Sequence, residues 1–299
     1  VIPARRAPTR PGDVRLRRGA HRRSLRLGDD MRLSVLPDGV SPLAPEFLTS
    51  APAAYWRSHP EYLDADGNLV TSVAALLVER GDRALLIDAG YGARAGGSPP
   101  IVAPWQGGHL PESLRRAGVD PDRVEAVAFT HLHDDHIGWA SPYSPAGGGT
   151  LFGRAEWLVT APEWEANRID SQGTVRLTEA TSRLRAISDG EEIFPGVTAV
   201  LAAGHSRGHT AYVIETGRTR VVVLGDVVHS PAQLDHPEWT VLFDSDAAAA
   251  EASRRRLLDL AADATLTHAG HFADVVFGRV ERFPAGMRWQ PLPDEIGRL

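Results

Sequence analysis

The stretch Phe129–Trp139, FTHLHDDHIGW, places three histidines and two aspartates within six consecutive residues. An apolar run, VEAVAF (124–129), leads into it and reads as a buried strand. On extended backbone, residues two apart leave the same face, which aims His131 and His133 together. Asp135 and His136 lie just beyond, where the chain must turn. One short segment therefore offers two ligands in one direction and two in another. Imidazole nitrogen with carboxylate oxygen suits zinc, iron or manganese. The plain alternative is a polar loop rich in histidine, and the rest of the chain decides between them.

Further clusters recur at strand ends. GHSRGHT (204–210) carries His205 and His209 after one apolar run, and VVVLGDVVH (221–229) carries Asp226 and His229 after another. THAGHF (267–272) adds His268 and His271. Of the 12 histidines, eight fall in these segments and the opening one, which favours a metal site over a chance polar loop.

Composition narrows the chemistry. The chain has 299 residues, 42% hydrophobic and 23% charged, as expected of a globular protein large enough to need no staple. It has no cysteine, so disulfides, thiolate metal sites and cysteine nucleophiles are excluded. All 32 basic residues are arginine, which excludes a Schiff-base lysine and a P-loop. The net charge of −6 argues against nucleic acid as partner. No apolar run reaches the roughly 18–20 residues that span a bilayer, and no signal peptide is visible. A cytoplasmic location is expected, with secretion left open because the chain begins at Val1.

Residues 1–28 read as an Arg-rich N-terminal arm and 29–299 as a single α/β domain. MRLSVLPDGV (31–40) predicts a strand that stops in a turn at Pro-Asp-Gly. LVTSVAALLVERGDRALLID (69–88) predicts a hairpin about Gly81-Asp82, ending at Asp88. Strands are expected at VEAVAF, AEWLVT, VTAVLAA, AYVIET, RTRVVVLGD and ATLTH. Helices are expected at 110–117, from Ala161 onward, and over SDAAAAEASRRRLLDLAA (245–262), where an Asp precedes an Ala-, Leu- and Arg-rich body. Residues 41–68, rich in Pro, Ala and aromatics, read as a lid or dimer arm, and a homodimer is the default expectation.

The order HLHDDH, GHSRGH, GD and GHF, preceded by LLIDAGYG, resembles the metallo-β-lactamase superfamily over about residues 30 to 280. HFADVVFGRV and GDVVHSPAQLDHPEW, followed by FDSD, resemble its methyl parathion hydrolase-like and lactonase branch. The resemblance implies an αββα sandwich, two mixed sheets face to face with helices outside, and a binuclear site at one rim. It implies that His131, His133 and His209 hold one divalent ion, that Asp135, His136 and His271 hold the other, and that Asp226 bridges them. Zinc is the expected metal, with manganese or iron as alternatives. His205 is left as a supporting residue.

The implied reaction is hydrolysis of a small molecule, a lactone or other carboxylic ester, by a water activated between the metals. Asp135 and Asp226 are its expected catalytic carboxylates. Phosphotriesterase-like or thioesterase activity is the alternative within enzymes, and a non-catalytic binding module is the alternative outside them. Asp88 would fix the tautomer of a ligand histidine or cap a turn. His229 would edge the site or cap its loop, and Trp139 and Phe272 would line the pocket, with Trp56 and Trp105 in nearby loops.

Overall fold

Alternation along single strands decides the layering. Between Arg83 and Ile87, Leu85 and Ile87 enter one buried cluster while Ala84 and Leu86 enter another. Between Thr219 and Val223, Val221 and Val223 join the same inner cluster while Val222 faces a third. A strand buried on both faces belongs to a sheet covered on both sides. Two such sheets sharing one inner cluster, with helices over the outer ones, make the expected αββα sandwich.

The computed structural model describes residues 14–140, 150–169, 183–284 and 286–293. The first sheet comprises β1 (Arg23–Leu27), β2 (Met31–Leu43), β3 (Leu69–Arg80), β4 (Arg83–Ile87), β5 (Ala95–Ser98), β6 (Val102–Gln106), β7 (Val124–Ala128), β8 (Glu156–Thr160) and β9 (Leu184–Ile187). The second comprises β10 (Glu192–Phe194), β11 (Val197–Leu201), β12 (Thr210–Thr216), β13 (Thr219–Val223), β14 (Leu266–His268), β15 (Phe277–Phe283) and β16 (Gly286–Pro291), paired in sequence order. The helices are α1 (Ala53–Ser58), α2 (Leu110–Ala117), α3 (Asp134–Ile137), α4 (Ala161–Ile169), α5 (Ala232–Asp235) and α6 (Ala247–Ala262). None of them is long and apolar enough to cross a membrane.

The predicted hairpin forms as β3 and β4, and β4 then pairs in parallel with β7. β13 likewise pairs in parallel with β14, after a crossover through α6. Asp246 caps α6 by accepting the Ala249 amide at 3.0 Å. The ends of β4, β7, β13 and β14 meet at one rim. There the Tyr212 hydroxyl of the second sheet donates to the Phe129 carbonyl of the first at 2.6 Å.

The turn expected at Pro37-Asp38-Gly39 is a correction. β2 runs on to Leu43, and its pairing with β3 shifts register between Pro37 and Gly39. Such a bulge accommodates a proline that has no amide to pair, and it re-aims the extra side chain. That side chain is Asp38, fully buried. One of its oxygens accepts the amides of Tyr91 (2.7 Å) and Gly92 (3.1 Å). The other accepts the amides of Gly108 and Leu110 and the Trp139 indole N–H, the last at 2.7 Å. One carboxylate thereby joins the loop after β4, the start of α2 and the residues behind the histidine motif.

Of the Arg-rich arm, residues 1–13 lie outside the described residues. From Val14 the chain follows the domain: Leu16 is buried, Arg18 pairs with Asp274 at 2.6 Å, and β1 pairs antiparallel with β2. Residues 41–68 pack through Phe47, Leu48 and Trp56 against Trp239 and Val241.

Replacing Asp38 with Ala strands buried N–H donors from three segments. We expect a loss of about 3–5 kcal/mol in stability, read from denaturant unfolding. A loss below about 1 kcal/mol would show that the loops hold by their own packing.

Candidate metal centre

β7 delivers Phe129 to the rim, and the following residues diverge as their spacing predicts. The Nε2 of His131 lies 2.8 Å from the Nδ1 of His133, so the two rings converge. The one-turn helix α3 then turns Asp135 and His136 inward. Asp134 points outward beside Arg94, 3.5 Å away, so the neighbouring acids of the motif face opposite ways. Gly138 is required behind this turn because a Cβ there would fall 1.9 Å from the Tyr91 carbonyl carbon.

Metal-capable atoms gather in overlapping groups: His131, His133, His205 and Asp226; Asp135, His136 and His271; and Asp226, His229 and His271. Asp226 faces both sides. Its Oδ2 lies 3.1 Å from His271 Nε2, 3.5 Å from His205 Nε2 and 3.8 Å from His131 Nε2. Its Oδ1 lies 3.3 Å from His136 Nε2. Asp135 Oδ2 stands 3.5 Å from His136 Nε2 and 3.6 Å from His271 Nε2.

The rings that present Nε2 inward are held through the opposite nitrogen. His136 Nδ1 lies 2.9 Å from Asp88, His205 Nδ1 3.0 Å from Asp244, and His271 Nδ1 2.8 Å from the Ser72 carbonyl. Such partners fix tautomer and ring orientation in metal sites. Asp88 sits at φ 60 and also accepts the Thr130 amide and hydroxyl. It therefore serves both as a turn carboxylate and as the partner of a histidine.

The geometry departs from expectation at the paired histidines. His205, not His209, stands with His131 and His133, its Nε2 3.1 Å from His133 Nδ1. His209 Nε2 instead accepts the backbone amide of Asp226 at 3.0 Å, and its Nδ1 has no partner. A nitrogen already accepting an amide proton has no lone pair to offer a metal. His209 thus supports the turn that aims Asp226. Gly225 makes room for it: φ is +56, and a Cβ would meet His209 Nε2 at 2.7 Å.

Charge follows this arrangement. Burial draws His131, His205 and His209 below the ordinary histidine value, His205 to about 4 and His209 to about 3. Burial also disfavours the charged form of His136 and His271, but Asp135 and Asp226 outweigh it and raise both, His271 to about 9. Burial would raise Asp226, and His271 and His136 pull it well below the carboxylate range.

The remaining expected residues divide. His229 is buried, its Nε2 3.1 Å from Asp226 and its ring stacked 5.3 Å from His271. Trp139 donates to Asp38 and packs on the core cluster under α2 and α3. Phe272 is buried edge-on to Trp289 at 5.0 Å. Trp56 is buried in α1, and Trp105 stacks on Tyr91 at 3.7 Å. A cavity of about 480 Å³ opens instead beside His133 and His205, with Phe243 in its wall.

Two carboxylates escaped the sequence reading. Asp244 lies within the quoted FDSD but contacts His205 only through the fold. Glu163, near the start of α4, is 4% exposed. Its Oε1 accepts the Leu132 amide at 2.9 Å, and its Oε2 accepts the Ser206 hydroxyl at 2.6 Å and the Gly208 amide at 2.9 Å. It therefore clamps the HLH segment to the GHSRGH loop.

The family model of the metallo-β-lactamase superfamily matches residues 69–271, well over half of the chain. The chain belongs to the metallo-β-lactamase superfamily. An N-acyl homoserine lactonase of Bacillus cereus is 26% identical over 142 residues, 47% of this chain and 53% of that protein. A probable metallo-hydrolase of Mycobacterium tuberculosis is 25% identical over 181 residues, 54% of this chain and 58% of that protein. The chain thus spans about half the length of the curated relatives it matches. Among solved structures, AidC, described as a dizinc quorum-quenching lactonase, shares the fold with a TM-score of 0.78 at 21% identity, covering 91% of this chain and 97% of that one. AbOPH, described as a hydrolase in the β-lactamase superfamily, also has a TM-score of 0.78, at 25% identity, covering 92% and 98%.

Glu163→Gln keeps the volume of the clamp but replaces an acceptor with a donor. Stability should fall by about 1–3 kcal/mol. Amide exchange at Leu132 and Gly208 should accelerate beyond the global change. Uniform acceleration across the protein would mean that Glu163 does not act locally on these loops.

Proposed function

We propose that this chain is a binuclear metal-dependent hydrolase that cleaves a lactone or other carboxylic ester. The observation that carries this reading is the placement of Asp226 between two groups of imidazoles. The donors fit divalent cations. They are nitrogen and oxygen only, they converge while buried, and His136 Nε2 has no hydrogen-bond partner although carboxylate oxygens stand near it. His131, His133 and His205 would hold one ion, Asp135, His136 and His271 the other, and Asp226 would bridge them. Zinc suits this donor set, with manganese or iron as alternatives.

When bound by these residues, two divalent cations would supply an acidified water and a Lewis acid for the carbonyl of the substrate. The side chains have distinct tasks around them. Asp88, Asp244 and the Ser72 carbonyl hold His136, His205 and His271 in the tautomer that presents Nε2. The 19% side-chain exposure of Asp135, against 5% for Asp226, supports Asp135 as the carboxylate that would orient the water and pass its proton to the departing alkoxide. The lactonase relatives favour a lactone or ester over the phosphotriester and thioester alternatives.

Metal analysis with a panel of lactones, aryl esters, thioesters and phosphotriesters tests this reading. We expect about two ions per chain, turnover of lactones or esters, and loss of turnover to a chelator with recovery on adding zinc or manganese. Metal-free purified protein that gains nothing from added metal would sink the proposal. His205→Ala should reduce stoichiometry toward about one ion, whereas His209→Gln should retain metal. The reverse pattern would return the ligand role to His209. Asp244→Ala should weaken metal binding about 10–100-fold in a chelator competition.

A further inference from the structure

The cavity beside His133 and His205 carries a charge that nothing among the described residues neutralises. Arg207 lies two residues past His205 in the same loop, is exposed, and lines the cavity. No described carboxylate comes within ion-pair distance of it. Glu163 belongs to the same wall, but its oxygens are committed to Leu132, Ser206 and Gly208. The wall also offers apolar surface, including Ala166 and Phe243, a residue left 47% exposed. An exposed aromatic residue in the same cavity wall as a guanidinium with no acidic partner among the described residues suits a ligand with an apolar span and an anionic end. The planar guanidinium fork matches a carboxylate in particular.

We propose that the substrate is an ester or lactone bearing a carboxylate of its own, which Arg207 binds while Phe243 covers the apolar span leading to the reacting carbonyl. The proposal rests on the hydrolase reading and adds the substrate class to it. The reaction stays a hydrolysis: water adds across the acyl–oxygen bond, giving an acid and an alcohol, and the distal carboxylate is unchanged.

The test compares a nitrophenyl hemiglutarate with a nitrophenyl pentanoate of equal chain length, using metal-loaded protein. The anionic ester should be preferred in kcat/KM by about tenfold or more, and Arg207→Ala should reduce that preference by a similar factor. Arg207→Lys should keep part of it, and added salt should erode it in the parent. A melting temperature matching the parent's separates lost recognition from lost fold. Turnover of both esters without an anionic preference, or a preference untouched by Arg207→Ala, overturns the carboxylate site and leaves the hydrolase reading standing. Turnover of neither ester counts against the hydrolase reading, and calorimetric titration with monomethyl glutarate and methyl pentanoate then decides the site. There, Arg207→Ala must weaken the anionic ester more than the neutral one, and equal weakening overturns the proposal.

Discussion

Burying the Asp226 carboxylate at the rim of a sandwich is the constraint on which the remaining structure depends. An isolated carboxylate taken from water is costly, and it is tolerated only where opposite charge or donors compensate. Here imidazoles from separate strand ends supply that compensation: His271, His136, His131 and His229 all draw Asp226 toward its charged form. None reaches it unless the ends of β7, β13 and β14 share a rim. Gly225 and His209 fix the backbone from which it projects. The sandwich, the parallel strand pairs and the turns after them are the means of holding one acidic side chain in place.

A second set of buried carboxylates keeps that arrangement from relaxing. Asp38 gathers the loops beneath the motif, Glu163 joins the two loops that carry the first histidines, and Asp244 backs His205. Behind Asp244 the buried Arg254 of α6 donates to the carbonyls of Val227, Pro237 and Trp239 and stands 3.8 Å from the acid. Each acts through backbone amides, carbonyls or a ring nitrogen of a distant segment. Rings held through their outer nitrogen cannot swing to satisfy themselves with water, so their inward nitrogens stay available.

Local pattern made much of this legible. The hairpin at Gly81-Asp82, α2 at 110–117 and the capped α6 follow from turn residues, apolar spacing and helix composition. The pattern at Pro37-Asp38-Gly39 misleads because a bulged strand and a strand end use the same residues. The hairpin of β5 and β6 hides in a Gly- and Pro-rich stretch of mostly exposed strand, where no alternation marks it. His205 and His209 flank the same short loop, and only the partner of each ring distinguishes them. Glu163 and Asp244 look like ordinary surface acids until the fold places amides and imidazole against them. What is carried by period and spacing can be read in advance, and what is carried by a contact between distant segments cannot.

The two sheets share a core of steps, apart from the β5–β6 hairpin inserted in the first and α5 in the second. In one, the β3–β4 hairpin is followed by α2 and a return in parallel as β7; in the other, the β12–β13 hairpin is followed by α6 and a return as β14. The chain is thus close to one supersecondary unit used twice, face to face. His131, His133, Asp135 and His136 come from the first half, and His205, Asp226 and His271 from the second. Neither half owns the centre, which exists only in the seam between them.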